Sequence, residues 1–244
     1  MRTRDALTLR GWFMPGSRRA VVIFVHGLWG NRLALFSEAR LLAKHGYGFL
    51  LYDSRASGES DGDVATWGDR EQLDVHAVVD YVSSRPEVDA SRIALLGFSV
   101  GGSAAAMAVS HDPRPRALVL YATWSSLDDE MEYKFGRFGP ISFAPVMFVM
   151  RRAGVVPDNI RPIDHLRAIH PRPLLMITGT LDDDTPVAVM AQLFQAAGEP
   201  KELWIVPGAK HGGYLAIAPE EYETRVVSFL DRALFGPAPP PGGS

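Results

Sequence analysis

Residues 92–106 read Arg92-Ile93-Ala94-Leu95-Leu96-Gly97-Phe98-Ser99-Val100-Gly101-Gly102-Ser103-Ala104-Ala105-Ala106. An apolar run passes through a serine between glycines and enters a stretch of small residues. The pattern is that of a buried strand turning sharply into a helix with Ser99 at the turn. Strand and helix pack closely around such a turn, and Gly97 and Gly101 stand where a β-carbon would clash. Gly-x-Ser-x-Gly is a weak signal on its own. Set between an apolar strand and an Ala-rich helix, it becomes a structural pattern for an exposed nucleophile.

Working outward, apolar runs with strand character lie at residues 20–25, 48–52, 93–96, 117–121, 174–178 and 203–206. Most of them are continuous rather than alternating, which means burial on both faces. Helical patterns over residues 37–45, 69–84, 101–111, 187–196 and 220–234 separate most of them, and the last carries Tyr222, Val226, Val227, Phe229 and Leu230 on one stripe. Strands alternating with helices predict an α/β fold, a mostly parallel sheet covered on both sides. Residues 7–16 read as an antiparallel edge strand and turn. From about Trp124 to Ile169 the alternation breaks. Pro140, Pro145 and Pro157 punctuate the stretch, with local helical patterns at 128–135 and 145–152. This predicts a small cap inserted at about 124–169 into a single domain spanning 1–235.

A serine hydroxyl needs a base to remove its proton and an acid to hold that base. Residues 203–213, Leu-Trp-Ile-Val-Pro-Gly-Ala-Lys-His-Gly-Gly, are a strand ending in a glycine-rich loop, which makes His211 the candidate base. Residues 174–186 deliver Asp182, Asp183 and Asp184 into the loop after a buried strand. Asp182 is the candidate acid, Asp184 the alternate, and Asp183 reads as a solvated loop acid. The oxyanion of acyl transfer needs two backbone N–H donors. Val100, the residue after the nucleophile, supplies one. Leu28, in the loop His26-Gly27-Leu28-Trp29-Gly30, supplies the other, with Trp29 as alternate. His26 reads as a loop brace.

The order Ser99, Asp182, His211 is that of α/β-hydrolases and differs from the chymotrypsin and subtilisin orders. The strings Val-Ile-Phe-Val-His-Gly at 22–27, Tyr-Asp-Ser-Arg-Ala-Ser-Gly-Glu-Ser-Asp-Gly at 52–62, Gly-Phe-Ser-Val-Gly-Gly at 97–102, Gly-Thr-Leu-Asp at 179–182 and Lys-His-Gly-Gly at 210–213 resemble that superfamily over nearly the whole chain. More narrowly they resemble its serine esterase and dienelactone-hydrolase-like branches, BEM46-like and prolyl-oligopeptidase-like catalytic domains among them. The resemblance implies an esterase-type fold and a Ser/Asp/His triad that requires no cofactor. Dienelactone hydrolase itself uses cysteine and this chain has none, so that substrate is not implied. The large propeller of prolyl-oligopeptidase-type peptidases has no room in 244 residues. The chain begins near the family's second strand.

Composition narrows the function classes. A net charge of -3, with no Lys/Arg run longer than two, offers no surface for a nucleic-acid backbone. The absence of cysteine excludes a disulfide framework, a thiolate zinc site and a cysteine nucleophile. No metal is expected, because the remaining histidines show no paired-ligand spacing. The N-terminus lacks a secretory apolar core. The apolar run at 141–150 has about half the length needed to span a bilayer, so no transmembrane segment is expected. A cytoplasmic location is the default. Residues 236–244, rich in Pro and Gly, read as a disordered tail.

The 124–169 insert offers Trp124, Met131, Tyr133, Phe135, Phe138, Ile141, Phe143, Met147 and Phe148. Trp124, Phe138, Phe143 and Met147, together with Trp29, are the candidate substrate-binding set, suited to an apolar acyl or alcohol group. About two thirds of the insert's apolar residues are expected to pack it onto the body. Lys134, Arg137, Arg151 and Arg152 are candidates to meet a carboxylate at the rim. Asp53, Arg55, Glu59 and Asp61 read as residues pinning a turn. The expected activity is hydrolysis of a small-molecule carboxylic ester. An acyl thioesterase or amide hydrolase with the same triad is the nearest alternative, and a catalytically silent ligand receptor is the non-enzymatic one. A lipid surface meeting the cap is a further expectation open to test.

Overall fold

The computed structural model describes residues 1–236, so eight of the nine residues of the expected tail lie outside the described residues. Seven strands form one sheet: β1 (Gly11–Met14), β2 (Val21–Val25), β3 (Gly48–Tyr52), β4 (Ile93–Phe98), β5 (Ala117–Tyr121), β6 (Leu174–Gly179) and β7 (Lys201–Val206). Their order is β1-β3-β2-β4-β5-β6-β7. β1 runs antiparallel to β3, in register from Gly11↔Tyr52 to Met14↔Phe49, and every other pair is parallel. The helices are α1 (Phe36–Lys44), α2 (Glu71–Ser83), α3 (Val100–His111), α4 (Leu127–Phe135), α5 (Pro140–Arg152), α6 (Pro162–His165), α7 (Val187–Ala196), α8 (Tyr214–Ile217) and α9 (Pro219–Phe235).

Side chains alternate across each strand, so one strand feeds two cores. Val21, Ile23 and Val25 of β2 pack with α2 and α3, along with Met190 and Leu193 of α7. Val22 and Phe24 point the other way, into a cluster with Leu42 of α1 and Tyr222, Val226, Phe229 and Leu230 of α9. Burial on both faces explains why β2 to β6 read as continuous apolar runs. The run at 203–206 departs from that expectation, because β7 lies at the sheet edge and turns Ile205 outward. Among the described residues no helix is long and apolar enough to cross a membrane.

The strand order also locates the site. From β2 the chain crosses to β3 on one side, then returns to lay β4 against the other side of β2. Connections therefore leave β2 and β4 in opposite directions, opening a crevice at their carboxyl ends, where open α/β sheets bind ligands. His26–Leu28 leave the end of β2 there, and Ser99 leaves the end of β4.

Between β5 and β6 the chain runs through α4, α5 and α6 with no strand. The Ser126 hydroxyl caps α4 by accepting the Asp129 N–H at 3.1 Å, and Asp128, Asp129 and Glu130 sit at its positive end. Here the structure corrects the sequence reading. Pro145 does not start a helix but lies inside α5, which begins at Pro140. Proline at the first turn has no helical hydrogen bond to lose, so Pro140 is the natural start, and the helix carries Pro145 at the cost of one backbone bond.

The expected share of packed residues was also too high. Trp124, Met131 and Met147 are buried with Val100 and Met107, and Phe143 packs against them from a partly buried position. Tyr133, Phe135, Phe138, Ile141 and Phe148 are exposed. The physical reason is that α5 is apolar on both faces. Its inward stripe Phe143, Val146, Met147 and Met150 repeats at helical spacing, which leaves Ile141, Phe148 and Val149 outward.

Candidate active site

Ser99 occupies the turn between β4 and α3 with φ 54° and ψ -119°, a conformation that side chains rarely adopt. Two backbone bonds hold it: the Ser99 N–H donates to Tyr121 O at 2.9 Å, and Ser103 N–H donates to Ser99 O at 3.1 Å. The glycines supply the room. A β-carbon on Gly97 would stand 2.7 Å from Gly101 O and Gly102 Cα, and one on Gly101 would stand 2.3 Å from Val25 O. Gly102, which the sequence reading left unassigned, faces the Thr123 hydroxyl just as closely. Gly101→Ala sets a rigid β-carbon against two backbone carbonyls, and an expected loss of about 3 kcal/mol should appear as a lowered urea midpoint.

The acid and base come from adjacent strand ends. After β6, the Leu181 N–H donates to Ala209 O at 2.9 Å, and Gly208 N–H donates to the Thr180 hydroxyl at 2.8 Å, lacing the acid loop to the loop after β7. A β-carbon on Gly179 would collide with Ala209 O at 2.1 Å, so this approach also depends on glycine. Asp182 Oδ1 accepts the backbone N–H groups of Asp184 at 3.0 Å and Thr185 at 2.7 Å. Both Asp182 oxygens face His211 Nδ1, at 3.1 and 3.0 Å. Asp184 pairs instead with Lys134 of α4 at 2.6 Å. The structure thus brings His211 to Asp182 rather than to the alternate. Lys134 also pairs with Glu130 at 3.2 Å, so it is engaged rather than waiting at the rim for a carboxylate.

His211 lies beside the nucleophile strand, its ring 4.9 Å from that of Phe98. Among the described residues no hydrogen bond joins His211 to the Ser99 hydroxyl. Contacts of that kind are commonly long before substrate binds. Phe98, the variable position of the elbow motif, was missed by the sequence reading. Its ring fills the space between Gly27 and Gly212, where added β-carbons would lie 3.0 and 3.3 Å from it.

The loop after β2 closes on the serine from the other side. A β-carbon on Gly27 would meet Ser99 Cβ at 3.3 Å, and Gly27 to Gly30 form a turn closed by Gly30 N–H to Gly27 O at 3.1 Å. Leu28 is the second residue of this turn. Trp29 is the third, with left-handed φ 60° and 88% exposure. Val100 opens α3, so its N–H belongs to the first turn, which has no helical acceptor. Leu28 and Val100 share one apolar cluster with Trp124 and Met147. Phe138 does not join that cluster. It is 70% exposed on a turn, with the Arg137 guanidinium over its ring.

His26 does what a brace does. Its Nε2 accepts the Ser54 N–H at 3.0 Å, which puts the ring proton on Nδ1, free to donate to Gly27 O at 2.8 Å. Burial holds this imidazole below its ordinary pKa range, consistent with a neutral ring. The loop after β3 is pinned as expected. Asp53 takes Arg32 at 2.6 Å and the Glu59 N–H at 2.9 Å, Asp61 takes the Thr8 N–H at 2.8 Å, and buried Arg55 pairs with Asp74 at 2.8 Å. Burial pushes the Asp74 pKa up to about 6, against the pull of Arg55.

Asp182, Asp184 and His211 offer ligand atoms within 4.8 Å of one another. A cation there would have to displace the Lys134 ammonium and break the Asp182–His211 contact, so the donor set fits a proton relay better than a metal.

Residues 33–236 match the prolyl oligopeptidase family. The chain belongs to that family. An uncharacterized protein of Mycobacterium tuberculosis is 30% identical over 92% of this chain and 74% of its own length. The polyketide transferase grgF of a Penicillium species is 27% identical, with 94% of each chain covered. Among solved structures, α/β hydrolase GrgF superposes with a TM-score of 0.79 at 26% identity, covering 96% of this chain and 97% of that one. The Pyrococcus furiosus esterase Pf2001 does so with 0.79 at 28% identity, covering 96% and 90%. The fold is that of the α/β hydrolases, and the family supports a serine hydrolase.

Proposed function

We propose that this protein is a serine carboxylesterase working through an acyl-enzyme on Ser99. The observation that carries the reading is Asp182, clamped by two backbone N–H groups and turned onto His211 Nδ1, with that ring against Phe98, the neighbour of Ser99 in its strained turn. Asp182 fixes the tautomer, leaving Nε2 as the base. Ser99 Oγ attacks the acyl carbon while His211 takes its proton. The carbonyl electrons move onto oxygen, held by the Leu28 and Val100 amides. Collapse re-forms the carbonyl and breaks the ester C–O bond, with His211 returning the proton to the leaving alcohol. Water then repeats the sequence in reverse and frees Ser99.

The segment 124–169 acts as a cap within the single domain 1–235, and Trp124, Phe143 and Met147 wall the acyl side. Trp29 and Phe138, both exposed, are proposed only as rim residues. Matched p-nitrophenyl ester, thioester and anilide series of two to ten acyl carbons test the assignment. The ester is expected to be turned over fastest. A thioester or anilide ahead by tenfold or more in kcat/KM would overturn the ester reading in favour of that class.

The similarity to grgF carries a second reading, in which the same acyl-enzyme passes its acyl group to an acceptor other than water. Product analysis with added alcohols and thiols separates the two.

Leu28→Pro tests the oxyanion site without disturbing the turn, because proline suits the second position of a β-turn. It removes the N–H together with the Leu28 side chain that packs beside Val100 and Trp124, so Leu28→Ala, which keeps the N–H, is the reference. An expected fall in kcat/KM of about 10²- to 10³-fold relative to Leu28→Ala is what loss of one such donor costs.

A further inference from the structure

A cavity of ≈ 470 Å³ opens on the side of His211 that faces α1 and α8, away from the insert. Leu35, Glu38, Phe98, Tyr121, His211 and Leu215 are among its walls. Its volume falls in the range of about 300–1,000 Å³ common for small-molecule sites. Glu38 is its anomaly. The residue is 8% exposed, yet burial drives its carboxyl above the usual range, and the one group pulling it down is its own backbone N–H. Among the described residues no Arg, Lys or Asp side chain lines it, so Glu38 is the one carboxyl there, set with Ser37 and His211 among apolar and aromatic surfaces. Leaving a buried acid unpaired is costly, and a cation entering the cavity would relieve that cost.

We propose that this cavity is a subsite for an alkylammonium group on the leaving alcohol, with Glu38 as its counter-ion and the Phe98 and Tyr121 rings as its walls. A primary ammonium brings three donors that need acceptors. The Tyr121 hydroxyl is already turned to that of Tyr222, so the lining suits a tertiary or quaternary ammonium, which needs charge and π-surface instead. The position beside His211 is where a leaving alcohol would collect its proton, and to that extent the assignment rests on the serine-hydrolase reading.

The test is binding rather than turnover. Choline and its uncharged isostere 3,3-dimethylbutan-1-ol are titrated calorimetrically into the native protein, Glu38→Gln and Glu38→Asp. Choline is expected to bind the native protein at least about tenfold tighter than the isostere. Glu38→Gln should bring the ratio to about one, and Glu38→Asp should retain part of it. Equal affinities in the native protein, or a ratio unmoved by Glu38→Gln, would overturn the proposal. Loss of the esterase reading would show elsewhere, as absent ester turnover with choline binding intact.

Discussion

Ser99→Ala is expected to lower ester turnover by about 10⁴-fold or more while leaving the fold intact. The substitution deletes one oxygen from a residue whose backbone, not its hydroxyl, makes the structural contacts. The Ser99 N–H holds Tyr121 O, and Ser99 O anchors the first turn of α3. Alanine keeps both bonds and the same positive φ, so urea and thermal midpoints should move little. Residual turnover, if any, would come from binding and from the Leu28 and Val100 donors. Steady-state kinetics on the best p-nitrophenyl ester checks this. Activity within tenfold of the native protein would show that another group is the nucleophile.

The second large effect separates two neighbouring acids. Asp182→Asn should reduce kcat by about 10³- to 10⁴-fold, because an amide can turn its NH₂ toward His211 Nδ1 and stabilise the tautomer that places the proton on Nε2. Asp184→Asn removes an exposed pair with Lys134, which calls for a change of no more than about fivefold. Two further features make the difference sharp. Asp182 receives the Asp184 and Thr185 amides as well as His211, whereas the Asp184 carboxylate is hydrogen-bonded to Lys134 near the end of α4. Kinetics of both variants on one ester decide the matter, and equal losses would contradict the assignment of Asp182.

Much of this architecture was legible in the sequence because the constraints are local and severe. Five of the six apolar runs could be read as doubly buried strands, while the sixth is the edge strand β7, whose Ile205 faces outward. The elbow could be read because only glycine fits against the Val25 and Gly101 carbonyls. The chain order of serine, acid and base carried the topology. The insert was less legible for a physical reason. Proline at 145 argues against a helix locally, but packing of Met147 and Met150 onto Trp124 and Val100 overrides one lost backbone bond. Sequence patterning also could not show which apolar residues of α5 face the body, since both faces of that helix are apolar.

Side-chain partnerships between distant loops were invisible for a different reason. Lys134 and Asp184 are 50 positions apart, and nothing in either segment announces the other. Glu38 reads from sequence as an ordinary first-turn helical acid, stabilised in water by the helix dipole. Its burial follows only from the way α1 lies against β5 and α9, with Tyr121 and Tyr222 close enough to feel its charge. The role of Phe98 was hidden inside the motif itself, at a position the pattern leaves free.

The most direct test of the central claim, that Ser99, His211 and Asp182 form a working triad, is labelling with a fluorophosphonate probe followed by peptide mapping. The reagent reports an activated serine without knowledge of the substrate. One modified site is expected, Ser99, with labelling lost in Ser99→Ala and slowed by orders of magnitude in Asp182→Asn. A folded native protein that stays unlabelled, or one labelled at another serine, would contradict it.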